Sequence, residues 1–145
     1  MANDQIEKVV TYISKCPICT IATASADGEP DASTVYFSNI GLDIYFNTAR
    51  DSQKVRNISV NPRVAITIQE TSAPKTDRDI RGVQYAGKAT ILSDAEANEA
   101  PKPVMVRHHA FNSVNRGNSI IVKRTAVKVY LIDSRGFRRR DLLQL

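Results

Sequence analysis

Two hydroxyls and two cations fall within the eight residues NTARDSQK: Thr48, Arg50, Ser52 and Lys54. Hydroxyl and ammonium donors at this spacing suit a phosphate or another compact anion. The setting agrees, because "LDIYF" before them has the composition of a strand and "VRNISVNPR" after them that of a short helix. A strand running into a helix presents free N–H groups and a positive dipole end to an anion. The commoner reading of such a stretch is helix capping by Asp51 or Ser52 on a solvated surface. Local sequence leaves both open.

Cys16-Pro-Ile-Cys19 is the other motif with chemical potential. A C-x-x-C pair can be redox-active or supply half of a zinc site. Zinc needs two more ligands, and the only histidines are the adjacent His108 and His109. Neighbours on a helix point about 100° apart and suit one metal poorly. The pair leads directly into an apolar strand, where cysteine serves as a small core residue. Packing is the expectation, and no metal site is assigned.

Positive charge gathers late in the chain. Residues 1–70 carry six Lys/Arg against eight Asp/Glu, and residues 71–145 carry fourteen against seven. Basic surface draws nucleic acid or phosphorylated small molecules. The densest run, Arg135 and Arg138, Arg139 and Arg140, also reads as a solvated end.

These groups must be positioned by a folded core. At 145 residues, with 42% hydrophobic and 24% charged content, the chain fits one globular domain, taken as 1–145, rather than a disordered segment. No apolar run approaches the roughly 20 residues that span a bilayer. The start MANDQIEKVV has no basic region leading into an apolar one, so a signal peptide is not expected and the default is cytoplasmic.

Ile6, Val9, Val10 and Ile13 are spaced as on a helix that Pro17 ends. "CTIATA", "DASTVYF" and "DIYFNT" read as three strands of an antiparallel meander, turning at Asp27-Gly28 and at "SNIGL". A helix over about 51–60 stops at Asn61-Pro62. "RVAITIQE" alternates, with Val64, Ile66 and Ile68 on one face. A loop at 71–79 precedes the long strand "IRGVQYAGKATIL", whose Gly82 and Gly87 suggest a bulge or bend. Ser93 and Glu96 form a capping box, interrupted by Pro101 and Pro103, with a helical piece at 104–111. "SIIV" and "AVKVYLID" supply the closing strands. The fold expected is mainly β with a few helices, an antiparallel six- to seven-stranded barrel, since closure removes exposed edges.

In this order, "TIATASADGEPDASTVYF", "LDIYFNT", the helix with Lys54, "NPRVAITI" and "RGVQYAGKATIL" resemble the pyridoxamine 5′-phosphate oxidase-like family, the FMN-binding split β-barrels. The match is good over about residues 5–92 and loose beyond. It implies an FMN cofactor at the subunit interface of a homodimer. By position, Thr48 would donate its hydroxyl to the flavin phosphate, with Ser52, Gln53 and Lys54 following at the helix start and Arg50 adding local charge. Ser33, Thr34 and Val35 would lie along the isoalloxazine ring, with backbone groups reading its polar edge. Asn47 sits beside this site, with turn capping an equal reading.

The departures are specific. Family members that oxidise pyridoxamine phosphate carry arginine where this chain has Ser33 and Gln53, lysine where it has Ser38, and a tryptophan near the end, whereas this chain has none. Vitamin B6 oxidation is therefore not the expectation. An FMN-dependent oxidoreductase with an unknown small-molecule substrate and no assigned catalytic residue leads. The alternatives are a non-catalytic flavin carrier or sensor, and a related barrel using heme or a deazaflavin. A nucleic-acid-binding barrel ranks below these, because Tyr36, Phe37, Tyr45 and Phe46 lie in the less basic half. Tyr36, Tyr45 and Tyr85 are expected to pack in the core or at a dimer interface, and His108 and His109 to face solvent.

Overall fold

The computed structural model describes residues 2–70, 81–93, 95–96, 119–133, 139–143 and 145. The expected loop at 71–79, the helical piece at 104–111 with both histidines, and Arg135 and Arg138 lie outside them.

Helix α1 (Ala2–Ser14) opens the fold and buries Val9 and Ile13 completely, as its apolar spacing requires. The chain then turns into β1 (Ile18–Ala24), β2 (Pro30–Ile40) and β3 (Asp43–Ala49). The first hairpin is closed by Ser25, whose hydroxyl pairs with Asp27 and accepts the Glu29 N–H, while Gly28 takes a φ of 88°. The second is tighter than the sequence suggests. Ser38, Asn39 and Ile40 continue β2, and the reversal falls at Gly41, where φ is 57°. Such angles favour glycine, which has no Cβ to clash.

Helix α2 (Gln53–Val60) follows β3. Then come β4 (Arg63–Gln69), β5 (Arg81–Ile91), β6 (Ser119–Asp133) and β7 (Arg139–Leu142). The seven strands are hydrogen-bonded in the order β3-β2-β1-β4-β5-β6-β7, all neighbours antiparallel, and β6 also pairs with β3. This is a split β-barrel.

Three expectations change in detail. "SIIV" and "AVKVYLID" are one strand, because β6 is shared: its first half pairs with β3 and its length from Val122 to Asp133 with β5. The register of β5 shifts between Ala86 and Gly87, which places the anticipated bulge at the second glycine. Arg139 and Arg140 are strand residues, paired with Asp133 and Ile132.

The core is built by alternation. Val64, Ile66 and Ile68 of β4 are buried, and the residues between them are exposed. They pack with Phe37, Phe46, Ile44, Ile21, Val83 and Tyr85. Cys16 and Cys19 form no disulfide and are buried in the same cluster, so packing accounts for the C-x-x-C pair. Among the described residues no group of three or more His, Cys, Asp or Glu is placed to hold a metal, and no helix is long and apolar enough to cross a membrane.

Candidate functional site

The split in the barrel creates the site. Strands β2 and β3 pair from Ile40 and Asp43 as far as Phe37 and Phe46, and there they part. Beyond that point Asn47, Thr48 and Ala49 keep only the pairing with β6 that β3 holds along its other edge from Ile44 to Ala49. The stretch of β2 from Pro30 to Tyr36 is therefore paired with β1 on one edge and not with β3 on the other. Phe37 gives its N–H to Pro17 O on the β1 side. Alternation then turns the peptide groups of Thr34 toward the edge that β3 has left.

A cleft of about 430 Å³ fills this gap, lined by Ile18, Thr34, Val35, Tyr36, Asn47, Thr48 and Lys54. Five expected site residues (Thr34, Val35, Asn47, Thr48 and Lys54) are thus brought together. Ile18 and Tyr36 were not anticipated as site residues. Ile18 faces the cleft because it is registered opposite Tyr36 across the β1–β2 ladder, a long-range fact that no local motif carries. Of the three tyrosines expected in the core or at a dimer interface, Tyr45 and Tyr85 are buried and Tyr36 is 56% exposed in the single chain.

The helix end is built for the corner. Ser52 is the N-cap, in extended backbone, and its Oγ accepts the Val55 N–H at 3.4 Å. Its hydroxyl also meets Thr48 Oγ1 at 3.3 Å, which ties the end of β3 to the start of α2. Ser52, rather than Asp51, caps the helix, and Thr48 before it and Lys54 after it line the cleft. The N–H groups of Gln53 and Lys54 have no carbonyl one turn back within the helix. Thr48, Lys54 and this helix end form a donor set of the kind a phosphate takes.

The other expected residues do not line the cleft. Ser33 is registered opposite the fully buried Ile21, so its side chain shares the core face of β2, and its Oγ is buried without a hydrogen-bond partner. The buried, alternating Val35 and Phe37 carry the signal, since Ser33 has their parity. Arg50 is exposed in the turn before α2. Gln53 is committed elsewhere: its Nε2 donates to Asn57 Oδ1 at 2.8 Å and its Oε1 accepts from Arg56 at 3.0 Å. Asn57 in turn donates to Thr23 Oγ1 at 3.0 Å, a buried bond between α2 and β1.

A second cleft of about 300 Å³ adjoins the first, sharing Ile18 and Thr34. Thr34, Thr20 and Thr67 stand side by side across β2, β1 and β4 along it, with Gln69 and Glu70 at one end. Glu70 is fixed at its backbone, where the N–H donates to Tyr12 Oη at 3.0 Å, and the same phenol donates to Arg81 O at 3.2 Å. Burial pushes the Tyr12 phenol above its ordinary pKa, and the Glu70 N–H pulls the other way.

A split barrel whose gap ends on a capped helix and a lysine is the class of protein that fold and site define. The pyridoxamine 5′-phosphate oxidase family profile matches residues 6–133, and the chain belongs to that family. Solved structures with the same fold include a heme-binding protein of Mycobacterium smegmatis, with TM-score 0.81 and 22% identity over 94% of this chain and 56% of that one. The chain thus spans little more than half the length of that protein. General Stress Protein 26 of Bacillus anthracis superposes with TM-score 0.68 and 20% identity over 97% and 98% of the two chains. HutZ, a heme storage protein of Vibrio cholerae, does so with TM-score 0.71 and 14% identity over 86% and 92%. At these identities the likeness concerns the fold. A search of curated protein sequences finds no match.

Proposed function

We propose that this protein is an FMN-dependent oxidoreductase that works as a homodimer. The observation that carries the reading is the meeting of Thr48, Lys54 and the Ser52-capped start of α2 at a cleft whose wall is the edge of β2 that β3 leaves. These residues fit FMN in kind. Hydroxyls, helix N–H groups and an ammonium would hold the phosphate, and the peptide groups of Thr34 would meet the polar edge of the ring. FMN, when bound, supplies the redox chemistry, and the chain orients it.

The second cleft is the natural place for a substrate, because an occupant there would touch whatever fills the first. Three threonines and one carboxylate, with no cation among its described lining residues, suit an uncharged or cationic molecule better than a phosphorylated one. The homodimer is supported by Tyr36 and Ile40, which are 56% and 40% exposed on the same face of β2. Such an interface would be two-fold symmetric.

A heme reading stands second, favoured by the heme proteins among the structural neighbours. The experiment is to add FMN or heme to stripped protein while following absorbance, melting temperature and light scattering. Saturable FMN binding, a raised melting temperature and a particle of twice the chain mass are expected. No response to FMN well above the micromolar range contradicts the flavin reading, and a response to heme alone replaces it.

A further inference from the structure

Helix α2 is eight residues long, well short of the 12–15 at which an isolated helix becomes even marginally stable, so its contacts with the barrel must place it. It buries only two residues, Ile58 and Asn57. Ile58 supplies apolar contact, which is non-directional and tolerates sliding. Asn57 is different in kind. It is 2% exposed, its Nδ2 donates to Thr23 Oγ1 at 3.0 Å, and its Oδ1 accepts from Gln53 at 2.8 Å. Thr23 is itself 4% exposed, so the bond lies out of water at the β1 face.

An apolar side chain at position 57 would pack there without the cost of burying an amide. Directional hydrogen bonds instead specify one position of the helix. That position matters three residues earlier. A slip of one residue turns a helix by about 100°. It would carry Lys54 out of the cleft and pull Ser52 from Thr48. The Gln53 amide, which sequence position alone would assign to the phosphate, is in this arrangement a strut between Asn57 and Arg56.

We propose that Asn57, through Thr23 and Gln53, is the positioning residue that sets the selectivity of the cleft for a phosphorylated over an unphosphorylated ligand. The proposal rests on the phosphate corner described above and concerns how that corner is held, not what it binds.

The test compares FMN with riboflavin, which lacks the phosphate, on four proteins: wild type, Asn57→Leu, Thr23→Val and Thr23→Ser. Asn57→Leu and Thr23→Val keep the shape and remove the buried bond. Thr23→Ser keeps the hydroxyl. The first two should weaken FMN about tenfold and riboflavin by no more than about twofold, and Thr23→Ser should stay within about twofold of wild type for both. Equal losses for both flavins, or the same loss in Thr23→Ser as in Thr23→Val, would overturn the proposal. A flavin-independent readout is amide hydrogen exchange of the apoprotein at Val55 and Arg56, which bond to Ser52 Oγ and Ser52 O. Exchange about tenfold faster in Asn57→Leu is expected, and unchanged exchange overturns the proposal. A wild type that binds the two flavins equally would instead overturn the phosphate assignment, and the selectivity claim with it.

Discussion

The two helices lean on the same barrel by different means. Helix α1 is held chiefly by apolar side chains: Val9 and Ile13 are fully buried, with Ile6 packed against the same cluster. Its long-range polar ties are the Tyr12 phenol at Arg81 and Glu70 and the exposed contact of Ser14 with Asn39 of β2. Helix α2 is shorter and held through polar groups, the Ser52 cap, the Thr48 contact and the buried Asn57–Thr23 bond. Apolar burial supplies free energy with little directional demand, whereas hydrogen bonds supply less but fix geometry. The helix with the larger buried apolar face is thus not the one that faces the cleft.

That contrast can be broken by substitution. Ile13→Ala should have the largest effect on stability, about 2–5 kcal/mol by denaturant unfolding, with the ratio of FMN to riboflavin affinity unchanged. A changed ratio would mean that α1 also shapes the corner. Ser52→Ala should cost less, about 1–2 kcal/mol, because it removes one cap. Yet it should lower FMN affinity while sparing riboflavin, since the Thr48 contact goes with it. Loss of stability with an unchanged ratio would reduce Ser52 to a cap alone.

Tyr12→Phe should be the smallest, about 0.5–1.5 kcal/mol. It also carries a pH signature. The folded-state pKa of Tyr12 is raised, chiefly by burial, so the neutral phenol is favoured in the folded protein. Its contribution is complete below the unfolded value of about 10 and lost as pH rises through the folded one. Wild type should therefore lose stability above about pH 10 more steeply than Tyr12→Phe does. Parallel profiles would show that the phenol is not held as described.

Much of the barrel was legible because alternation is local. Val64, Ile66 and Ile68 announce a one-sided strand, and Asp27-Gly28 announces its hairpin. The single strand β6 was not, since Lys123, Arg124 and Thr125 interrupt its apolar runs where it passes from one ladder to the other. Strand β7 was hidden by charge, which an edge strand tolerates and a sequence reader takes for solvent. In the site, Thr48 and Lys54 were legible because the strand-to-helix corner that holds them is seven residues of contiguous chain. Ile18 enters through register, which sequence does not display. Gln53 misleads for a plain reason: a polar side chain at a helix start looks the same whether it awaits a ligand or braces a neighbour.

The central claim is that Lys54 and the start of α2 hold a phosphate, and Lys54→Ala tests it most directly. Titrating wild type and variant with FMN and with riboflavin, the account predicts a loss of about 1.5–3 kcal/mol for FMN, roughly tenfold to over a hundredfold. Riboflavin affinity should hardly change, and unfolding free energy should move by no more than about 0.5 kcal/mol. Equal losses for the two flavins, or none for either, would contradict the account and leave the corner as a capped helix on the surface.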